Sequence, residues 1–143
     1  MKTLKNYLMF TAILAAQVTI FSCKKSDPTP QAIKPTITTN AVANITANTA
    51  TSGGFIGDSS GLYRILGRGI MYSSLGDPRS GTILYSQTYD LLNTPSYWGN
   101  YPSNMVSLTA NTTYYVRAYL GYEPVGTSSS IFLYGELRTF KTP

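Results

Sequence analysis

The run Tyr114-Tyr-Val-Arg-Ala-Tyr-Leu-Gly-Tyr122 limits this chain more than any other stretch. Tyr114, Val116, Ala118 and Leu120 fall on one face of an extended strand, and Tyr115, Arg117, Tyr119 and Gly121 on the other. The first set makes the core face. Arg117 belongs with the second, because an unpaired buried guanidinium is costly. A strand with one buried face needs pairing partners and a second layer to cover it.

The rest of the chain from Thr36 onward supplies candidates for both. No window there carries a capped apolar stripe at helical spacing. Short runs rich in Thr, Tyr, Ile and Val recur between clusters of Gly, Pro, Asn and Asp. They predict seven strands: Thr36 to Ala43, Thr49 to Ile56, Ile65 to Ser73, Thr82 to Thr88, Met105 to Leu108, Tyr114 to Tyr122 and Gly135 to Thr142. Seven strands in about 108 residues is the arithmetic of an all-β, immunoglobulin-like sandwich. Two strands have irregular parity. Arg68 shares the face of Leu66, Ile70 and Tyr72, so either it snorkels at a sheet edge or a bulge near Gly67 or Gly69 shifts the register. Leu137 and Phe140 have opposite parity, which a bulge near Arg138 would reconcile.

The N-terminus reads differently. Lys2 and Lys5 precede an apolar run from Tyr7 to Phe21, which ends in Ile20-Phe-Ser-Cys23. About 15 apolar residues is short for a membrane span and right for a secretory signal. The ending resembles the lipobox of bacterial lipoproteins. That resemblance implies removal of residues 1–22 and lipidation of Cys23, which would attach the protein to a membrane. Cys23 is the only cysteine in the chain, so it forms no internal disulfide. Two or three acyl chains suffice for stable anchoring. Residues 23–35, with three prolines and three lysines after Cys23, read as a flexible tether. The expected organisation is therefore signal peptide 1–22, lipidated cysteine and tether 23–35, and sandwich 36–143.

The segment Leu108-Thr-Ala-Asn-Thr-Thr-Tyr114 resembles the start of strand F in fibronectin type III domains. There a leucine, a turn, a threonine and a tyrosine occur in that order. The resemblance implies a tyrosine corner at Tyr114, with its hydroxyl bonded to backbone a few residues upstream. Arg68-Gly-Ile-Met-Tyr-Ser73, Thr113 to Tyr119 and Tyr134 to Phe140 resemble, in that order, segments of fibronectin type III-like modules in Bacteroidetes lipoproteins. The family pattern has a tryptophan on its second strand. This chain has Gly53-Gly-Phe55, and Phe55 is the candidate to fill that volume.

Charge excludes one partner class. The formal net charge is +5. Five of the eleven basic residues precede Thr36, which leaves the sandwich six basic against five acidic residues. Nucleic-acid binding needs a basic face with several phosphate contacts, and none is present. Catalysis has little to work with. With no histidine in the chain, Ser-His-Asp, Cys-His and histidine-metal sites are excluded. The sandwich acids Asp58, Asp77, Asp90, Glu123 and Glu136 sit mainly in turns, with no calcium-loop spacing. No enzyme activity, cofactor or metal is expected.

The aromatic connections are the candidate binding feature. The chain has twelve tyrosines. Tyr85, Tyr89, Tyr97, Trp98 and Tyr101 lie between Ser80 and Asn104, and Tyr122 opens the connection from Gly121 to Leu133. Tyrosine and tryptophan offer rigid contact area with a polar handle, which suits glycans and proteins alike. The alternative is that Tyr97, Trp98 and Tyr101 pack over the sandwich edge. Tyr115 and Tyr119 read as a cross-strand ladder on the outer face. The expectation is a lipid-anchored envelope protein, at the outer membrane and facing periplasm or surface. Its sandwich is a non-catalytic binding, adhesion or spacer module with a glycan or envelope-protein ligand. The alternative is a structural or assembly subunit of a larger envelope complex.

Overall fold

A computed structural model describes residues 34–57, 63–90 and 98–143. The signal peptide, Cys23, most of the tether, Asp58 and Tyr97 lie outside the described residues.

The described fold is all-β, with two antiparallel sheets and one short 3-10 helix at Pro78–Ser80. The first sheet has the order β1 (Thr36–Thr39), β2 (Ala50–Gly57), β5 (Gly99–Met105). The second runs β4 (Ser86–Gln87), β3 (Tyr63–Ser73), β6 (Thr113–Pro124). Both β7 (Ile131–Tyr134) and β8 (Arg138–Lys141) pair with β6.

Among the described residues the strands number eight, not the seven expected. The additional strand, Ile131–Tyr134, lies mostly in the stretch expected to be the connection Gly121 to Leu133, and the last strand begins at Arg138 rather than Gly135. Tyr119 pairs with Tyr134, yet Val116 pairs with Arg138, so the register slips by one residue across the break between the two strands. That slip lets Phe140 face inward while Leu137 stays 37% exposed. The fifth strand is also displaced from its expected position. It runs through Gly99–Met105, a stretch expected to be a connection, and Val106–Leu108 lies outside it. Pro102 is tolerated there because, among the described residues, β5 is the last strand of its sheet and pairs only with β2. The fourth strand shrinks to two residues. Its pairing with β3 nevertheless continues through an isolated bridge, Arg68 to Asp90.

The core lies between the sheets. Ala50 and Met105 of the first sheet meet Ile70, Tyr72, Val116 and Ala118 of the second, with Leu108, Tyr114 and Phe140 at one end. A second cluster joins Ile56 and Tyr101 to Tyr63, Ile65, Leu120 and Tyr122. Val116, Ala118 and Leu120 are fully buried, and Tyr114 is nearly so. Burying a side chain such as Leu120 contributes about 1.5–3 kcal/mol. Tyr114 accepts a hydrogen bond from the Thr109 N–H at 2.9 Å, and its ring stacks on Phe140 with centroids 5.6 Å apart. Phe55 does not fill a core volume. It points away from the core and is 43% exposed.

The bulge in β3 is at Leu66. Ile65 pairs with Tyr122 and Gly67 with Gly121, so Leu66 is the extra residue. Arg68 consequently faces inward and is buried, its guanidinium 4.6 Å from the centre of the Tyr101 ring. A cation over an aromatic face recovers part of its lost hydration.

One edge of the sandwich is closed by hydrogen bonds between β1 and the β7–β8 break. The Thr39 N–H donates to Glu136 Oε2 at 3.0 Å. The Ala118 N–H donates to Thr39 Oγ1 at 3.0 Å, and Arg138 Nε donates to the Thr39 carbonyl at 3.3 Å.

Candidate functional site

The pleat puts Gly67, Gly69 and Met71 of β3, and Arg117, Tyr119 and Gly121 of β6, on the solvent side of the second sheet. The β4 segment contributes Tyr85, Gln87 and Tyr89, and β7 contributes Phe132 and Tyr134, which pair with Gly121 and Tyr119. Met71, Tyr85, Gln87, Tyr89, Tyr119, Phe132 and Tyr134 line one groove of about 410 Å³. That volume lies within the range of small-ligand sites. The groove crosses four strands, roughly 14 Å at about 4.8 Å per strand spacing.

Its shape depends on glycine. A Cβ on Gly67 would strike the Tyr89 ring, and one on Gly121 would press on the Phe132 ring. A Cβ on Gly69 would collide with the Thr88 carbonyl. Without side chains at these positions, the aromatic rings lie down on the sheet and form walls around a low floor. Met71 and Tyr119 are buried as that floor, whereas Tyr85, Tyr89 and Phe132 are about half exposed.

Hydrogen bonds hold the walls. Tyr89 donates its hydroxyl to the Leu66 carbonyl at 2.9 Å, and Tyr119 donates to the Thr88 carbonyl at 2.7 Å. The Thr88 N–H donates to the Ile70 carbonyl, and the Asp90 N–H to that of Arg68. Thr88 Oγ1 accepts from the Ile70 N–H at 2.9 Å and lies 2.8 Å from the Ser103 hydroxyl, which ties the groove to the first sheet. Burial pushes the Tyr119 phenol up to about 12, with the charges of Tyr89, Asp90 and Tyr85 acting in the same direction. It is therefore a neutral donor at physiological pH. Among the described residues, the hydroxyls of Tyr85 and Tyr134 have no hydrogen-bond partner.

The 3-10 helix closes one end. Asp77 caps it by accepting the Arg79 N–H at 3.0 Å. The same carboxylate takes Arg117 in two parallel bonds of 2.7 Å, and Arg117 also donates to the Gly135 carbonyl at 2.6 Å. The Arg117 guanidinium, chiefly through these hydrogen bonds, holds the Asp77 carboxyl below its ordinary range. Arg79 lies with its guanidinium 5.3 Å above the Tyr134 ring.

The aromatic residues expected to contact ligand divide three ways. Tyr85 and Tyr89 are in the groove. Tyr101 and Tyr122 are not available: both are core residues, and Tyr101 donates its hydroxyl to the Gly69 carbonyl at 2.9 Å between the sheets. Burial pushes the Tyr101 phenol strongly up. Trp98 is half-buried and packs against the cluster that contains Tyr101. Gln87 and Phe132, which lie in the two connections expected to contact ligand, complete the groove together with Met71, Tyr119 and Tyr134, which the sequence did not single out for it. The usable signal was Gly67-Arg-Gly69 on one strand and Gly121 on the outward face of another.

A larger cavity, about 490 Å³, opens at one end of the sandwich between Tyr72, Leu84, Tyr85, Val106 and Tyr114. It is built mainly on loop segments, and Leu75, Leu84 and Val106 around it are well exposed.

Among the described residues no three His, Cys, Asp or Glu side chains gather as a metal site. The four described acids are all engaged. Asp77 pairs with Arg117, Glu123 with Arg64 and Glu136 with Arg138, while Asp90 accepts from the Ser103 hydroxyl. Among the described residues no helix is long and apolar enough to cross a membrane.

The chain is similar in fold to the sensor domain of the anti-sigma factor RsgI4 in Pseudobacteroides cellulosolvens. A shorter form of that domain aligns with a TM-score of 0.52 at 16% identity, over 78% of this chain and 97% of that one. A longer form gives 0.49 at 17% identity, over 76% and 89%, and the solution structure gives 0.49 at 18%, over 76% and 75%. No family model matches the chain, and no curated protein does.

Proposed function

We propose that this protein is a lipid-anchored envelope protein whose fibronectin type III-like sandwich is a non-catalytic glycan-binding module. The observation that carries the reading is the groove of aromatic side chains laid over Gly67, Gly69 and Gly121 on the outer face of the second sheet. Pyranose rings have apolar faces and polar edges. Flat aromatic rings with hydroxyl and amide groups beside them answer both. The walls rise from paired strands or segments bonded to them, so little order is lost on binding.

The strand order supports the fibronectin type III-like part of the reading. Three strands face four strand positions, and the last position is split between β7 and β8. The anchor rests on the sequence around Cys23, a short apolar run ending in Phe-Ser-Cys. The fold match to a sensor domain is compatible with ligand binding but does not by itself carry function.

A glycan array probed with the full chain in detergent tests the groove. Phe132→Ala and Tyr85→Ala should each abolish retention of the glycan the wild type holds, with thermal midpoints within a few degrees of wild type. Retention that survives both substitutions would rule the groove out. For the anchor, Cys23→Ser should release the protein from the membrane fraction. A protein still sedimenting with membranes would sink that part.

A second reading, an assembly subunit of an envelope complex, is favoured by the exposed Leu75, Leu84 and Val106 around the end cavity. A stoichiometric envelope partner recovered with the wild type and lost with Leu84→Asp would establish it.

A further inference from the structure

The charge at the end of the groove carries the ligand class further. This step rests on the reading of the groove as a glycan site.

None of the seven groove-lining residues is an acid. At the Tyr134 end the charged groups are those of the 3-10 helix and Arg117, and they are not balanced; at the Tyr89 end the carboxylate of Asp90 acts on Tyr119. Asp77 and Arg117 neutralise one another through two bonds of 2.7 Å. Arg79 is within electrostatic reach of Asp77, but among the described residues it forms no ion pair. Its guanidinium lies instead over Tyr134, itself a groove wall. A stacked guanidinium keeps its in-plane N–H fork open to a carboxylate. The backbone beneath it is also fixed. The Arg79 N–H bonds to Asp77, Gly81 follows in the left-handed conformation, and Asp77 is locked by Arg117.

We infer that the groove takes an acidic glycan, with a uronate carboxylate held by Arg79 at the Tyr134 end. The neighbouring sugar rings stack across the floor toward Tyr89 and Phe132. A planar carboxylate matches the fork in two parallel bonds, which a neutral sugar hydroxyl cannot reproduce. The cation at the Tyr134 end and the Asp90 carboxylate beside Tyr89 and Tyr119 also set a direction. The acidic residue of the repeat is registered at one end, and the rings beyond it are held by apolar contact.

Affinity electrophoresis of the full chain in detergent separates the alternatives. The probes are a polyuronate, a neutral glucan of similar length and a sulfated polysaccharide. The polyuronate should retard the wild type, and raised salt should weaken the retardation. Arg79→Gln should reduce retention at least tenfold, Arg79→Lys should restore only part of it, and Phe132→Ala should remove it. Equal retardation by the neutral glucan, or full retention by Arg79→Gln with loss in Phe132→Ala, would overturn the carboxylate assignment and leave the groove standing. Arg79-dependent retention by the sulfated polysaccharide alone would overturn the uronate class. If Phe132→Ala changes nothing, the glycan reading falls with it.

Discussion

Tyr119 donates its hydroxyl to the main-chain carbonyl of Thr88 at 2.7 Å, across the position of a missing side chain. Its direct cross-strand partner is Gly69, and a Cβ at Gly69 would occupy the space of that same carbonyl. One glycine thus lets the β4 segment settle against β3 and lets a tyrosine on β6 reach it.

Gly69→Ala should therefore act on stability and binding together. The added methyl forces the Thr88 segment outward, which costs about 1–3 kcal/mol of overpacking strain. Gly81 is the control. Its φ of 75° is left-handed, but a Cβ there meets nothing within 4 Å. Gly81→Ala should cost about 1–2 kcal/mol through backbone strain and leave the groove intact. Urea denaturation and glycan retention together distinguish the two. Equal retention by both variants would contradict the role given to Gly69.

Tyr114→Phe removes the acceptor of the Thr109 N–H and leaves the ring stacked on Phe140. A partly buried donor without a partner costs about 1–3 kcal/mol. The expected result is a lower urea midpoint with an unchanged m-value. An unaltered midpoint would show that water replaces the hydroxyl.

Acid should weaken the fold through Asp77. Its folded pKa is depressed, chiefly by the hydrogen bonds from Arg117. The stabilisation is therefore complete above the unfolded value, about 3.9, and is lost as pH falls through the lower folded value. Glu136 shifts in the same direction, mainly because it accepts the Thr39 N–H. Urea midpoints measured downward from neutrality should fall below about pH 4, and less steeply in Asp77→Asn. A variant with the wild-type slope would remove Asp77 as the cause.

Alkali should act through buried phenols. The Tyr119 phenol is raised to about 12, and burial raises Tyr101 as well. A raised pKa means that stability is complete below the unfolded value, about 10, and declines as pH rises beyond it. Tyrosinate absorbance should show a late fraction that titrates together with unfolding. Tyr119→Phe should make the decline shallower. Full ionisation by pH 10 in the folded protein would contradict this burial.

How much of this was legible depended on which force dictated each residue. The Tyr114 to Leu120 alternation placed Val116, Ala118 and Leu120 in the core, because a half-buried strand imposes period two directly. Gly99–Met105 gave no such signal. Its Gly, Asn and Pro read as turn residues, and only the pairing with Ala50–Ile56 makes that stretch a strand. The groove was harder still. Tyr119, Phe132 and Tyr134 come from two strands and meet Met71 and Tyr89 only after long-range pairing. Tyr101 misled for the opposite reason. It sits among turn-like residues, yet its ring is in the core and its hydroxyl finds a carbonyl there. Leu66, the bulged residue, had no mark of its own beside the two glycines that follow it.

The bonds that close the sandwich edge at Thr39 also have a mechanical consequence. Thr39 ends the first strand, four residues beyond the proline-rich segment 23–35. A pull entering there reaches the Thr39 contacts with Glu136, Ala118 and Arg138 early, together with the pairing of β1 to β2. Glu136 and Arg138 belong to the far end of the sequence, so the load passes directly to the last strands. The first strand thus works as a latch, and tension along the chain has to break it before Val116 or Leu120 is exposed.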